Sequence, residues 1–171
     1  PESVTGIEAP STSIGLFDLG IPILGICYGM QIMAEQLGGS VEISAIQEFG
    51  YAKIQSHNHS VLLDGLANQK DEQESGRLEV WMSHGDRVTS VPPNFELIAS
   101  SESCPIAGMF NQKKNFYGLQ FHPEVTHTEQ GKEILERFVI DVCGCKRSWV
   151  PSLITKNLIE RIRGQVGKDN V

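Results

Sequence analysis

The strongest constraint on the fold is a corner at residues 21–31, IPILGICYGMQ. Ile23–Ile26 is a continuous apolar run, the pattern of a strand buried on both faces. From Tyr28 onward Met30, Ile32, Met33, Ala34 and Leu37 recur at helical spacing, and Gly38-Gly39 stop the helix as a C-terminal cap does. One residue, Cys27, separates the two periodicities. A buried strand turning through a single residue into a helix is a βα unit, and open α/β sheets bind ligands at the carboxyl edge where such corners lie.

The corner also selects a chemistry. A cysteine there projects from the strand end, and the helix N-terminus behind it favours negative charge, which predicts a thiol pKa lowered from about 8.5 toward neutrality. Such corners strain the backbone, and Gly25 and Gly29 are read as glycines because side chains would clash. The pattern Gly25-Ile26-Cys27-Tyr28-Gly29 parallels the G-x-S-x-G elbow of serine hydrolases. Taken alone it fits a buried structural cysteine equally well.

A nucleophile needs a base, and the base an orienter. The segment GLQFHPEVTH supplies both types: His122 follows a strand over Asn115–Phe121, and Glu124 stands two places on. In extended backbone residues i and i+2 share a side, so the carboxylate can fix the imidazole tautomer, while Pro123 ends the strand. Alone, the pair would be a strand-end histidine beside an exposed glutamate. With the cysteine corner it becomes a base and its partner.

The middle of the chain predicts strands over Gly39–Ser44, Tyr51–Gln55, Glu79–Met82, Phe95–Ser100 and Ile106–Phe110, with 111–115 a hairpin loop and 68–76 an exposed loop. In VWMSHGDRV the strand is expected to end in a polar loop, so that Ser83, His84, Gly85 and Asp86 line a pocket. Thr126 and Glu129 are spaced like a capping box before a helix with Ile134, Leu135, Phe138, Val139 and Val142 on one face. A short helix is expected over Ser13–Leu19, and a last helix from about Ser152 carries Ile154, Leu158, Ile162 and Val166 on one stripe. HNH at 57–59 and CGC at 143–145 lack zinc-site spacing, so no metal is expected. Cys104 reads as structural.

At 171 residues one domain is expected. A net charge of −7 opposes a nucleic-acid surface, no apolar run reaches the roughly 20 residues of a membrane helix, and four unpatterned cysteines point to a reducing, cytoplasmic setting. Residues 151–171 carry four basic against two acidic side chains, so the acidity lies in the preceding part and the tail reads as belonging elsewhere. The chain begins PESVTG, without methionine, so further chain is expected upstream.

GICYGMQ, MSHGD and FHPEV, in this order, resemble the class I (triad) glutamine amidotransferases. The resemblance implies a flavodoxin-like three-layer α/β fold with a largely parallel sheet, and hydrolysis of L-glutamine to deliver ammonia. It assigns Cys27 as the thioester-forming nucleophile, His122 as general base and acid, Glu124 as its holder, Gln31 as a contact to substrate, and the Tyr28 backbone N–H as one oxyanion donor. GGSVEISAIQEFGYAKI, SESCPIAGMF, the segment 117–139 and IERIRGQVG narrow the likeness to the amidotransferase domain of glutamine-hydrolysing GMP synthases.

That family implies an amidotransferase domain over 1–148 and, over 149–171, a linker and first helix of an ATP pyrophosphatase domain, where ATP and Mg would serve the amination of XMP. It further implies a homodimer at full length, additional N-terminal βα units, and a glycine-rich loop before Pro1 with the second oxyanion donor. Another synthase's amidotransferase part, a γ-glutamyl hydrolase, or a catalytically silent binding domain with this fold are the alternatives. Intact Cys27, His122 and Glu124 weigh against the last.

Overall fold

The computed structural model of the protein describes residues 3–6, 8–57, 60–66, 76–147 and 151–167. The expected loop over 68–75 and two residues of HNH, 58 and 59, lie outside them, as do 148–150 at the expected domain boundary. A 3₁₀ turn, Ile14–Asp18, precedes β1 (Ile23–Ile26) and α1 (Tyr28–Gln36). Then come β2 (Ser40–Ser56), β3 (Arg77–Ser90), β4 (Glu96–Ser100), β5 (Gly108–Asn111), β6 (Phe116–Leu119), α2 (Gly131–Arg137) and α3 (Pro151–Val166). The βα corner is therefore where the sequence pattern predicts it, and Gly38, at φ +91°, closes α1.

The strands form one six-stranded sheet in the order β1-β6-β5-β4-β2-β3. Side chains alternate across it. Phe116 and Met109 pack with Met30, Met33 and Ala34 of α1 on one face. Tyr117, Phe110 and Leu119 pack with Ile134 of α2 on the other, with Phe138 and Val142 set against the same cluster. Two helical layers around a sheet give the expected three-layer α/β architecture. The expected parallel character, however, is confined to β1 and β6, paired from Ile23↔Phe116 to Ile26↔Leu119. The remaining ladders are antiparallel, and β3 to β6 follow one another through short returns without a helical crossover.

Two elements differ in length from expectation for the same reason. β2 is one strand of 17 residues in place of two short ones, and β3 runs for 14 residues straight through Ser83–Asp86, where a loop is expected. They pair along their lengths, with an irregularity between Ile43 and Glu48. Leu78, Val80, Met82, His84, Asp86 and Val88 are all buried, a strict two-residue period that carries the strand across the polar segment. β2 joins the sheet only through Gln55 and Ser56, against Ser100 and Ala99. β3 meets the chain just beyond the carboxyl ends of β1 and β6 at Ser83, whose carbonyl faces Cys27, and at Trp81, whose carbonyl faces His122 N.

The Thr126–Glu129 capping box does not form. α2 begins at Gly131 after Gln130, with no side-chain cap, and continues as one π-helical turn, Phe138–Val142. Val139 is exposed, leaving the face that packs to Ile134, Phe138 and Val142. Leu158 and Ile162 of the α3 stripe are also exposed. No helix among the described residues is long and apolar enough to cross a membrane.

Candidate active site

Cys27 occupies the corner with φ 50° and ψ −105°, a region that costs a non-glycine residue about 1–3 kcal/mol. The ladder holds it there: its N–H donates to the Leu119 carbonyl at 2.7 Å, and its carbonyl accepts from Gln31 N at 3.2 Å. A Cβ on Gly25 would lie 2.7 Å from the carbonyl carbon and oxygen of Gly29, so the close approach of strand and helix requires glycine at 25. Gly29 differs from expectation, since a Cβ there would meet open space.

The thiol is buried. Its Sγ donates to the Ser83 carbonyl at 3.6 Å and accepts from Gln120 Nε2 at 3.6 Å. Burial pushes the thiol pKa up, the Tyr28 backbone N–H and the Gln120 amide pull it down, and the Glu124 carboxylate adds to the rise. The net shift is upward, against the lowering expected from the helix N-terminus, because desolvation of the charged form outweighs one helix end. A thiol of this kind needs a base to become a nucleophile.

His122 follows β6, two residues beyond Gln120. Its Nδ1 lies 2.6 Å from Glu124 Oε1. A carboxylate only accepts, so Nδ1 carries a proton, and in the neutral ring Nε2 is then the acceptor; Nε2 is buried with no hydrogen-bond partner among the described residues. Glu124 is 46% exposed, so the pair orients the ring more than it stabilises the fold. β3 lines both halves of the site: the Trp81 carbonyl accepts from His122 N at 3.0 Å, and the Ser83 carbonyl accepts from Cys27. A buried thiol, an imidazole with an unpartnered ring nitrogen and a carboxylate on its other nitrogen are the group types that acyl transfer through a thioester uses.

The class-I glutamine amidotransferase family model matches residues 1–142. The chain belongs to the class-I glutamine amidotransferases. Within this family it is 56% identical over all 171 residues to the glutamine-hydrolysing GMP synthase of Cellvibrio japonicus, of which it covers 33%, and 54% identical to that of Hydrogenovibrio crunogenus, of which it covers 32%. The chain thus spans about a third of the curated relatives it matches. Among solved structures it resembles a GMP synthase component from Thermoplasma acidophilum, with a TM-score of 0.67 and 35% identity over 75% of this chain and 60% of that one. A glutamine amidotransferase from Thermotoga maritima aligns with a TM-score of 0.55 and 27% identity, over 75% and 51%.

In the amidotransferase chain the predicted segment Ser83–Asp86 is strand and not loop. Ser83 and Asp86 meet the site through backbone carbonyls, because they lie in a strand: Asp86 O accepts from Gln31 Nε2 at 2.8 Å and faces His84 Nδ1 at 2.9 Å. The His84 ring is buried and turned to Glu48, with Nε2 2.9 Å from Oε2. Gly85 has room for a Cβ, with only the Gln47 side chain within 4 Å. The Tyr28 hydroxyl donates to Pro10 O at 2.6 Å.

Four residues were not singled out by the sequence pattern. Gln120 touches the thiol, Glu48 faces His84, Trp81 carries His122, and Thr128 links the last two by donating to His122 O at 2.6 Å and accepting from Trp81 N at 3.1 Å. Only Gln120 leaves a sequence signal, as an amide inside the apolar run FYGLQF two residues before the histidine.

Among the described residues one cluster has metal-ligand chemistry: donor atoms of Glu48, His84 and Cys104 lie within 4.8 Å of one another. Each is already engaged. Glu48 accepts from the Ser103 hydroxyl, His84 holds Asp86 O, and the Cys104 thiol donates to Ile106 O at 3.4 Å. Burial, and after it the Glu48 charge, push that thiol up to about 12. The cluster is an internal brace beneath β3.

Proposed function

We propose that this chain is the glutamine-hydrolysing part of a GMP synthase. The observation that carries the reading is Cys27 held at a strained strand–helix corner against Ser83 of β3, two residues from the Trp81 carbonyl that holds His122, whose Nδ1 faces Glu124. His122 Nε2 takes the thiol proton as Cys27 Sγ attacks the side-chain amide carbon of L-glutamine. Negative charge develops on the amide oxygen, where the Tyr28 backbone N–H stabilises it. His122 returns the proton to the leaving nitrogen, ammonia departs, and a γ-glutamyl thioester remains. Water, deprotonated by the same imidazole, hydrolyses the thioester to glutamate and restores the thiol. Glu124 keeps the imidazole in its productive tautomer throughout. Gln31 and the Ser83–Asp86 segment form the substrate side of the site.

In the whole enzyme, residues 1–148 would be the amidotransferase domain, and 149–171 would lead into a synthetase domain of the same polypeptide that uses ATP and Mg to activate XMP for attack by the ammonia. The exposed apolar stripe of α3 suits a helix whose packing partner lies in that domain. A cytoplasmic homodimer completes the reading. The deciding experiment measures GMP formation by full-length enzyme carrying Cys27→Ala. Glutamine-dependent synthesis should vanish and ammonia-dependent synthesis persist, because free ammonia bypasses the thioester. Loss of both in a folded variant would reject the division of labour, as would a glutaminase rate indifferent to XMP and ATP.

A further inference from the structure

Gln120 is fully buried between Leu119 and Phe121, themselves fully buried. A polar side chain in that position must satisfy its amide from within the protein. Its partners are Gln31 Nε2, 3.2 Å from its Oε1, and Cys27 Sγ, 3.6 Å from its Nε2. The orientation of both amides follows from one group. The Asp86 carbonyl can only accept, so the atom of Gln31 facing it at 2.8 Å is the nitrogen. That nitrogen's second hydrogen then faces Gln120, which must present oxygen to it and nitrogen to the sulfur.

We propose that Gln120 is a further catalytic residue of this site, its amide N–H stabilising the sulfur of Cys27 as it loses its proton, and that Gln31 is the positioning residue that aims that amide. The inference rests on Cys27 being the nucleophile. At rest the thiol proton points at the Ser83 carbonyl. When that proton passes to His122 Nε2, the Ser83 carbonyl dipole opposes the new charge, and the Gln120 N–H is the side-chain donor already in contact with it. Amide N–H groups stabilise an anion more than a neutral acceptor, so the contact strengthens as the thiolate forms. The same geometry changes the reading of Gln31: both hydrogens of its amide nitrogen are spent inside the protein, on Asp86 and Gln120.

The test uses the full-length protein with Gln120→Leu, Gln120→Glu and Gln31→Leu, following iodoacetamide alkylation of the Cys27 peptide by mass spectrometry against pH, together with kcat and KM for glutamine. Gln120→Leu should raise the alkylation midpoint by about one pH unit, a tenfold loss of thiolate at neutral pH. Its kcat should fall about tenfold with KM changed less than about twofold. Gln31→Leu should shift the midpoint the same way by less. Gln120→Glu, nearly isosteric, replaces the donor with a charge and should shift it further, and it carries the test if the leucine variant does not fold. Midpoints that coincide with the unmutated protein, accompanied only by a lower Tm, would overturn the proposal. So would a raised KM with an unmoved midpoint. Alkylation requires no glutamine, so absence of glutaminase activity in the unmutated protein would reject the proposed function while the midpoint still scores Gln120.

Discussion

The backbone amide of His122 hangs on the carbonyl of Trp81, 3.0 Å away. The proposed general base is thereby tied to the long β2–β3 arm as well as to the chain that follows β6. Thr128 closes the link through its hydroxyl, bonded to His122 O and Trp81 N. Thr128→Val keeps the shape and removes both bonds. With Thr128 buried, the loss should cost about 2 kcal/mol, visible as a lower Tm. Because the bonds position His122, glutaminase kcat should fall about tenfold with little change in KM. A lowered Tm with unaltered kcat would assign Thr128 to stability alone.

Gly131, the first residue of α2, lies against the main chain of Pro123, between His122 and Glu124. A Cβ there would overlap the Pro123 carbonyl oxygen, with the carbonyl carbon at 2.9 Å and Cα at 3.2 Å. Neither backbone can yield without moving the other. Gly131→Ala should therefore destabilise by about 1–3 kcal/mol, despite the better helix propensity of alanine. The displaced turn should separate the imidazole from its carboxylate. Urea denaturation and a glutaminase assay check both effects; an unchanged rate would show that the turn absorbs the methyl group elsewhere.

Glu124→Gln separates orientation from stability. The carboxylate is half-exposed, so the denaturation midpoint should scarcely move. The imidazolium formed during the reaction loses its charged partner, and Nδ1 no longer faces a group that only accepts. The glutaminase rate should fall by about a hundredfold or more. A rate within about twofold of the unmutated protein would remove Glu124 from the triad.

These residues also mark how far the sequence could be read. The βα corner was legible because two periodicities collide at Cys27, and the His122–Glu124 pair because the two residues stand only two apart, although the structure joins them through a turn at Pro123–Glu124 and not through extended chain. The paths of β2 and β3 were not. Ser83, His84, Gly85 and Asp86 carry local turn propensity, but pairing with β2 and burial of alternate residues override it, and both are non-local. Gly29 and the capping box failed for a related reason. The first reads as a steric requirement only if something stands over it, and the second competes with Thr128 bonding the strand that carries His122. Backbone carbonyls at Trp81, Ser83 and Asp86 leave no trace in residue identity, so the parts of the site they build had to be seen.

The direction of the Cys27 shift makes a pH prediction whose sign differs from that of a preactivated thiol. Burial, the dominant cause, raises the pKa above that of an ordinary thiol, and Glu124 raises it further. Raising an acid's pKa lowers its ionised fraction at any fixed lower pH. The Cys27 alkylation rate should therefore climb about tenfold per pH unit from neutrality and level off only above pH 9. Cys145, exposed on the surface, serves as an accessible reference within the same protein. Glu124→Gln removes a nearby negative charge and should move the Cys27 midpoint down even as it slows turnover, opposite in direction to Gln120→Leu. Mass spectrometry of the Cys27 peptide across pH 6–10 reads both. A plateau already reached at pH 7 would mean that the thiolate is stabilised at rest by something stronger than Tyr28 N–H and Gln120 together.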